Sequence, residues 1–440
     1  MVSRDFTVHG YNHEDLSIAL KKLLLFLRKS RMTLILLLII GLYIYNVQNA
    51  LFANKLDESW YANVQSRLSS MEKGETLSVE NLVFDPEVYA LAGWLYIHGV
   101  PPSEFNFEHP PLAKFFIGIS EVVFHSPTSI NALFGLATLL VVHLLSMKLF
   151  GKTFFALIPV YMLSLEKLFL GVARASTLDI YSAFFISLSV FMFLYTVKNP
   201  KLFPALSLVI GLGVACKWEA AFIILAFITF LLLDRAWMKL GYFMASLPLA
   251  LLTYTMAYTT YFLSGHSFLE FLALQISIYK FLSIGAGTRG ALLIWQLLLT
   301  GVIGPETRTI FFIDEKTGEI IKTVIVKGLA ITYSFNPLTW SISAWAVLAC
   351  FLKTLRKNVE HRVLPLWFIS FMAPMSFALV LEHHLITLMP SFVLSIAYIL
   401  KDGYSKGKGR GKTILLAAII VYLGALAVWQ YIRIPDFIAI

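Results

Sequence analysis

Charged residues and cysteines are scarce in this chain of 440 residues. Only 14% of the residues are charged, whereas 58% are hydrophobic, and the mean hydropathy is +0.76. Soluble domains carry about 25% charged residues, so the composition excludes that class and predicts a polytopic membrane protein. The two cysteines, Cys216 and Cys350, both fall inside apolar runs. The sequence therefore lacks a disulfide framework and the paired cysteines of a zinc site.

Three further absences narrow the function. The sequence has no internal repeat, which disfavours a transporter or flippase built from two matched halves. It has no basic stretch interleaved with stacking aromatics, so the net charge of +9 does not indicate nucleic-acid binding. The first apolar run, 32–51, is too long for a cleaved signal and lacks a small-residue cleavage pattern, which predicts a membrane anchor.

Long apolar runs dominate the rest of the chain. Because about 20 apolar residues cross a bilayer, we predict an all-α polytopic membrane protein with about eleven transmembrane helices. The expected spans are 32–51, 129–150, 154–170, 177–197, 202–216, 219–233, 240–263, 336–352, 363–380, 385–400 and 413–432.

The basic residues predict the orientation of these spans. With a cytoplasmic N-terminus, 21 of the 35 Lys and Arg residues and only 6 of the 26 acids fall on the cytoplasmic side. Cytoplasmic loops of membrane proteins carry this excess of basic residues. We therefore expect an integral membrane protein with a cytoplasmic N-terminus, with segment 401–412 touching anionic membrane lipid.

The predicted topology leaves two long outer loops, 52–128 and 264–335. The first is expected to be mostly helical, and the second to contain a small β-hairpin that turns at Lys316-Thr317-Gly318. Residues 1–31 alternate leucines and basic residues at helical spacing, which predicts a cytoplasmic amphipathic segment at the interface. Residues 32–440 are then a single transmembrane domain that includes both loops.

Polar residues are concentrated in the first outer loop between Phe84 and Lys114. Asp85 and Glu87 precede one short helix, and Glu108 and His109 lead through two prolines into the next. Paired carboxylates and a histidine at a membrane surface suit acid and base chemistry. The structural alternative is that Asp85 caps a helix and that His109 belongs to a rigid Pro-containing turn.

Further charges recur at the predicted outer boundary of the membrane. Ionisable residues there are costly and are often functional, and the cations could hold a phosphate by charge-assisted hydrogen bonds. Each of these residues could instead be a helix-end residue or a structural ion pair. Their scattered spacing gives weak support to a divalent cation. The residues are Glu166, Lys167, Arg174, Asp179, Lys217, Glu219, Glu382, His383 and His384, with Lys114 as a further cation.

Six motifs resemble those of the protein O-mannosyltransferases of prokaryotic, archaeal type, in the GT-C class of membrane glycosyltransferases. The resemblance spans nearly the whole chain, and HPPLAK and RASTLD are its most specific parts. The motifs are FDPEVYALAGWLYIHG, HPPLAKFFIG, ARASTLDIYSAFF, GLGVACKWEAAF, a region of Trp295 and NPLTW at 336–340, and HHLITLMPSFVLSIAY.

The resemblance implies an inverting enzyme of a prokaryotic plasma membrane that transfers mannose from dolichyl-phosphate-mannose or another polyprenyl-phosphate-mannose to Ser/Thr hydroxyls of proteins on the outer membrane face. Asp85, with Glu87, would be catalytic. Lys114, Arg174 and Lys217 would stabilise the departing phosphate. The orienting residues would be Glu108, His109, Asp179, Glu219, His383 and His384. Neither a cofactor nor a metal is certain, and a divalent cation and a homodimer stay open.

The chain departs from the family pattern at two places. Proline separates Asp85 from Glu87 where the family has adjacent Asp and Glu, and Asn131 stands where members carry a nearby arginine. An aminoarabinose-transferase-like enzyme that acts on a lipid or glycan acceptor is the enzymatic alternative. A polytopic transporter or flippase is the alternative from another class, although its charged pairs would lie near the bilayer midplane.

Overall fold

The computed structural model describes residues 13–52, 56–73, 82–284, 292–313, 320–355, 359–377, 381–432 and 437–439. These residues are mostly helical. The helices are α1 His13–Leu51, α2 Glu58–Glu72, α3 Asp85–Ile97, α4 Leu112–Phe124, α5 Ser129–Phe150, α6 Ile158–Ser164, α7 Lys167–Arg174, α8 Asp179–Thr196, α9 Phe203–Cys216, α10 Phe222–Leu233, α11 Trp237–Met256, α12 Thr259–Leu263, α13 Phe268–Ile284, α14 Leu293–Thr300, α15 Trp340–Thr354, α16 Val363–Met375, α17 Met389–Lys406 and α18 Gly409–Trp429.

Three strands form a small antiparallel sheet. Strands β1 (Val302–Ile313) and β2 (Ile320–Ile331) pair along their lengths, and the short β3 (Phe437–Ala439) pairs with β2 at Gly328–Ala330. The predicted turn at Lys316-Thr317-Gly318 lies outside the described residues. The order β1-β2-β3 brings the end of the chain beside the second outer loop.

Five of the described helices are long and apolar enough to cross a membrane, and a sixth span results if α6 and α7 count as one span bent by 59°. Three further apolar segments, Pro200–Cys216, Trp218–Leu233 and Trp340–Thr354, are shorter. The predicted number of eleven spans is therefore not confirmed. Hydropathy identifies apolar runs without their breaks: predicted span 154–170 is interrupted at 165–166, and predicted span 240–263 at 257–258.

From His13, inside the predicted amphipathic segment, helix α1 is continuous to Leu51 at the end of the predicted anchor. At 1.5 Å per residue its 39 residues extend about 58 Å, roughly twice the hydrocarbon thickness of a bilayer. Part of α1 therefore projects beyond the membrane. The division of the chain at residue 31 stays a prediction.

The core is built around α8, which packs against α5 and α9, while α9 also packs against α11. Outside this bundle, α3 and α4 cross in close contact. A Cβ added at Gly93 would lie 2.7 Å from the backbone nitrogen of Gly118, and one at Gly118 would lie 2.3 Å from the carbonyl oxygen of Gly93. Both positions therefore require glycine. This crossing holds together the two helices that flank the polar loop 98–111.

Candidate active site

Asp85 is the first residue of α3 and faces a large cavity. The helix is capped by other groups: Phe84 is the N-cap residue, and its N–H donates to Glu87 Oε2 at 3.3 Å. The hydroxyl of Ser176 donates to the carbonyl of Pro86 at 2.6 Å, which ties this end of α3 to the turn before α8. Among the described residues Asp85 has no hydrogen-bond or ion-pair partner, so its carboxylate is free to meet a ligand.

Lys114 holds the loop between α3 and α4 by hydrogen bonds to its main chain. This fully buried lysine donates to the carbonyl oxygens of Asn106 and of His109, the latter at 3.2 Å. Burial lowers the pKa of Lys114 to about 7, while the charge of Glu108 opposes that shift. Because its ammonium donates to main-chain carbonyls, Lys114 fixes the loop that carries Glu108 and His109.

His109 projects from this loop into the cavity. Burial, together with the charges of Lys217 and Lys114, holds its pKa well below the usual range. The imidazole is therefore neutral at pH 7, with one nitrogen that can accept a proton or a hydrogen bond. The ring of Tyr89 lies edge-on to it, with ring centroids 6.1 Å apart.

Lys217 follows the last residue of α9 and is paired with two carboxylates. Its Nζ lies 2.6 Å from Asp179 Oδ1 and 3.6 Å from Glu219 Oε1. Asp179 is the first residue of α8, so the packing of α8 on α9 creates the closer ion pair. This pair fixes the direction of the only lysine in the cavity wall among the described residues.

The cavity has a volume of about 1030 Å³, close to the upper end of the range of roughly 300–1,000 Å³ that is typical of ligand sites. One part of its wall is polar and the other is apolar. The polar residues are Asp85, Glu108, His109, Lys217, Glu219, His383 and His384. The apolar part includes Val214, Trp218, Phe222, Leu247, Leu251 and Tyr254. Such a cavity suits a molecule with a charged head and a long apolar tail.

Seven of the eleven predicted site residues therefore come together. The other four, Glu87, Lys114, Arg174 and Asp179, are not among the described residues that line the cavity. Glu87 forms an ion pair with Arg67 of α2. Arg174 is exposed and its Nε donates to the carbonyl of Asn46 at 2.7 Å, away from Asp179. Their predicted catalytic and phosphate-binding roles stay predictions.

Several supporting residues escaped the sequence reasoning. Asn131, noted only for a missing arginine, donates from Nδ2 to the carbonyl of Thr177 at 2.8 Å and accepts from the hydroxyl of Tyr181 at 2.7 Å. It therefore stabilises the turn before Asp179. Tyr89 could have been found from its spacing, because residue i+4 shares a helix face with Asp85.

A chain of hydrogen bonds that includes two aromatic side chains lies in the cavity wall. No local pattern in the sequence predicted it. Trp218 Nε1 donates to the hydroxyl of Tyr254 at 2.7 Å, and this hydroxyl donates to Gln275 Oε1. The three residues come from separate elements, so only the tertiary structure brings them together.

A divalent cation was left open by the sequence. Within the described ranges, no group of three or more His, Cys, Asp and Glu side chains is arranged to hold a metal ion. The metal dependence stays a prediction.

Comparison with protein-family models identifies a family resemblance in one part of the chain. Residues 108–262 match one family model, which includes the EHPP loop, the turn before Asp179 and the Lys217 segment. This model describes the dolichyl-phosphate-mannose-protein mannosyltransferase family. The resemblance seen in the sequence motifs is thus confirmed over this segment. No curated protein matches the chain significantly.

Solved structures give the fold. The chain is similar to ArnT from Cupriavidus metallidurans bound to undecaprenyl phosphate, with a TM-score of 0.55 and 14% identity over 88% of this chain and 62% of that one. Apo ArnT from the same organism gives a TM-score of 0.52 and 16% identity over 81% and 62%. At these identities the likeness shows a shared fold, that of ArnT. The chain spans about 62% of the length of ArnT.

Proposed function

We propose that this protein is a membrane glycosyltransferase that takes a sugar from a polyprenyl-phosphate donor. The observation that carries the proposal is one cavity with an unpartnered carboxylate, a buried lysine and an apolar wall. The mannosyltransferase family match and the ArnT-like fold support the same class of donor. We infer that the sugar is mannose and that the acceptor is a Ser/Thr hydroxyl of a protein.

Asp85 is the general base of this mechanism. A hydroxyl attacks poorly until its proton is accepted, and Asp85 would accept it while the hydroxyl oxygen bonds to the anomeric carbon. The bond from that carbon to the phosphate oxygen breaks on the opposite face, which inverts the configuration. Neutral His109 would orient the acceptor hydroxyl.

Lys217 binds the donor phosphate. Its ammonium is positioned by Asp179 at 2.6 Å, so little reorganisation is needed when negative charge grows on the leaving phosphate. The apolar wall from Val214 to Tyr254 would hold the first isoprenoid units of the carrier. The excess of basic residues in the predicted cytoplasmic loops supports an active site on the extracytoplasmic side of a prokaryotic plasma membrane.

The test is a transfer assay with purified protein. Polyprenyl-phosphate-mannose and a Ser/Thr-rich peptide are incubated with the enzyme, and mass spectrometry follows the peptide. We expect a mass gain of one hexose at a Ser or Thr, lost in the Asp85→Asn variant. Transfer to a lipid or glycan acceptor but never to peptide would support the second candidate, a related transferase with another acceptor. No transfer to any acceptor, from protein that is folded, would contradict the proposal.

A further inference from the structure

Glu219 is a second acid beside the lysine of the cavity. It lies in the short 3-10 segment Trp218–Ala221 that connects α9 to α10, and its side chain is only 10% exposed. Its Oε1 is 3.6 Å from Lys217 Nζ, beyond hydrogen-bond distance, and has no hydrogen-bond partner among the described residues. Asp179 is already bonded to Lys217 at 2.6 Å. The lysine therefore has one close carboxylate, and Glu219 is its more distant ion-pair partner, whose Oε1 accepts no hydrogen bond from a described residue.

This arrangement creates a charge imbalance once a donor binds. The proposed phosphodiester would bring a third negative charge to one ammonium and two carboxylates in a largely buried space. Like charges that share such a site cannot all stay ionised, and an uncompensated buried charge is strongly destabilising. Binding therefore needs a further positive charge or a proton.

The surroundings offer few sources for that charge. Asp85 and Glu108 face the same cavity and add negative charge, and the described residues contain no cluster of metal ligands. Among the described residues that line the cavity, the remaining groups that can gain a positive charge are three histidines. The pKa of His109 is held low by burial and by the two lysines. His383 and His384 lie at the start of the span that contains α17, close enough to Asp179 and Lys217 to interact with their charges.

The two carboxylates beside Lys217 differ in how well they can take a proton. Protonation of Asp179 would break its 2.6 Å charge-assisted bond to the lysine, the stronger kind of hydrogen bond. Protonation of Glu219 gives up only the longer ion pair, because its nearer oxygen is 3.6 Å from the ammonium. The proton therefore belongs on Glu219.

We propose that Glu219 binds the donor as a neutral carboxylic acid, whose hydroxyl donates a hydrogen bond to a phosphate oxygen beside Lys217. This inference rests on the proposed polyprenyl-phosphate donor and adds a binding residue to it. Its consequence is that donor binding takes up one proton, so that the affinity falls as the pH rises.

The experiment measures binding of undecaprenyl phosphate to purified protein in detergent between pH 6 and pH 8.5, without any transfer reaction. Wild type is compared with Glu219→Gln, whose amide can still donate to phosphate but cannot lose a proton. A single linked proton changes the dissociation constant by up to about tenfold per pH unit. We expect wild-type affinity to fall by at least about tenfold more than that of Glu219→Gln over this range.

Three controls make the result specific. The phosphate of the probe itself titrates, but it does so equally with both proteins, so the difference between them isolates Glu219. Glu219→Ala should bind more weakly than Glu219→Gln at every pH, because it has no donor. Lys217→Met should lose binding at all pH values, which checks that the probe occupies this end of the cavity.

The outcomes that overturn the inference are separate from those that overturn the proposed function. If wild type and Glu219→Gln weaken in parallel, the histidines or the probe carry the pH dependence and Glu219 does not donate. If a chelator abolishes binding and Mg²⁺ restores it, a cation supplies the charge and the inference is wrong. If wild type binds no undecaprenyl phosphate at any pH, the proposed donor class fails and this inference fails with it.

Discussion

Replacing Asp85 with asparagine separates a catalytic role from a structural one. Asparagine has the same shape but accepts no proton at neutral pH. In the structure Phe84 is the N-cap residue of α3, and the acid that bonds to the first backbone N–H is Glu87. Asp85 stabilises the fold only through its charge near the helix N-terminus, an effect of about 0.3–1 kcal/mol.

The expected effect on catalysis is much larger. A positioned general base contributes about 10²–10⁴-fold to the rate, which corresponds to roughly 3–5 kcal/mol in the activation barrier. Asp85→Asn should therefore reduce kcat by that factor while the melting temperature and the binding of undecaprenyl phosphate change little. The assay is hexose transfer to peptide under saturating donor, with thermal unfolding in detergent measured on the same preparation.

Glu87→Gln is the matched control. It neutralises the neighbouring acid, breaks the ion pair with Arg67 and weakens the contact to Phe84, yet Glu87 does not line the cavity. The side chains of the pair are 17% and 27% exposed, so we expect a stability loss of no more than about 1 kcal/mol. Its kcat should stay within about twofold of wild type. A folded Asp85→Asn enzyme that transfers within threefold of wild type would refute the base assignment, and a large loss in Glu87→Gln would move it to Glu87.

Three other changes test the remaining geometry. Arg174→Ala should lower the melting temperature but leave the apparent donor KM unchanged, because this side chain bonds to the carbonyl of Asn46; a severalfold rise in KM would return Arg174 to the donor site. Glu121, whose buried carboxyl oxygens have no hydrogen-bond partner among the described residues, has its pKa raised by burial to about 9. The stability that the protonated carboxyl contributes is complete below pH 4.5 and is lost as the pH rises through 9. Glu121→Gln should therefore stabilise the protein by about 3 kcal/mol at pH 7 and flatten the fall in melting temperature between pH 5 and pH 8. Equal pH profiles for both proteins would contradict this. Reporters fused after Lys412 and at the C-terminus should lie on opposite sides of the membrane, the first cytoplasmic, because the apolar remainder of α18 after Lys412 separates them; two reporters on one side would contradict the predicted topology.

Much of the candidate site could be predicted because local properties decide it. Composition alone indicates an integral membrane protein, since the exposure of an apolar run to water costs free energy wherever the run stands in the chain. The EHPP turn placed His109 before a helix for a local reason too, because proline fixes the backbone there. Asp85 followed from its motif, and the helical spacing of the motif carries Tyr89 to the same face.

Pairing between charges was decided only by the tertiary structure. From the sequence, Arg174 and Asp179 are neighbours around one turn, yet α7 ends at Arg174 and the extended residue Ala175 separates it from the helix that begins at Asp179. The partner of Asp179 is Lys217, 38 residues further along the chain, because α8 packs against α9.

The number of spans and the partners of the other charged residues were likewise decided by the tertiary structure. An apolar run predicts burial but not where the helix breaks, as at the 59° bend between α6 and α7. A lysine in a motif predicts a positive charge but not which oxygen it meets, and Lys114 meets the carbonyls of its own loop. The sequence by itself determined the membrane environment and the chemistry available. Only helix packing decided which of these groups share the cavity, because a long-range contact depends on how distant segments are arranged in space.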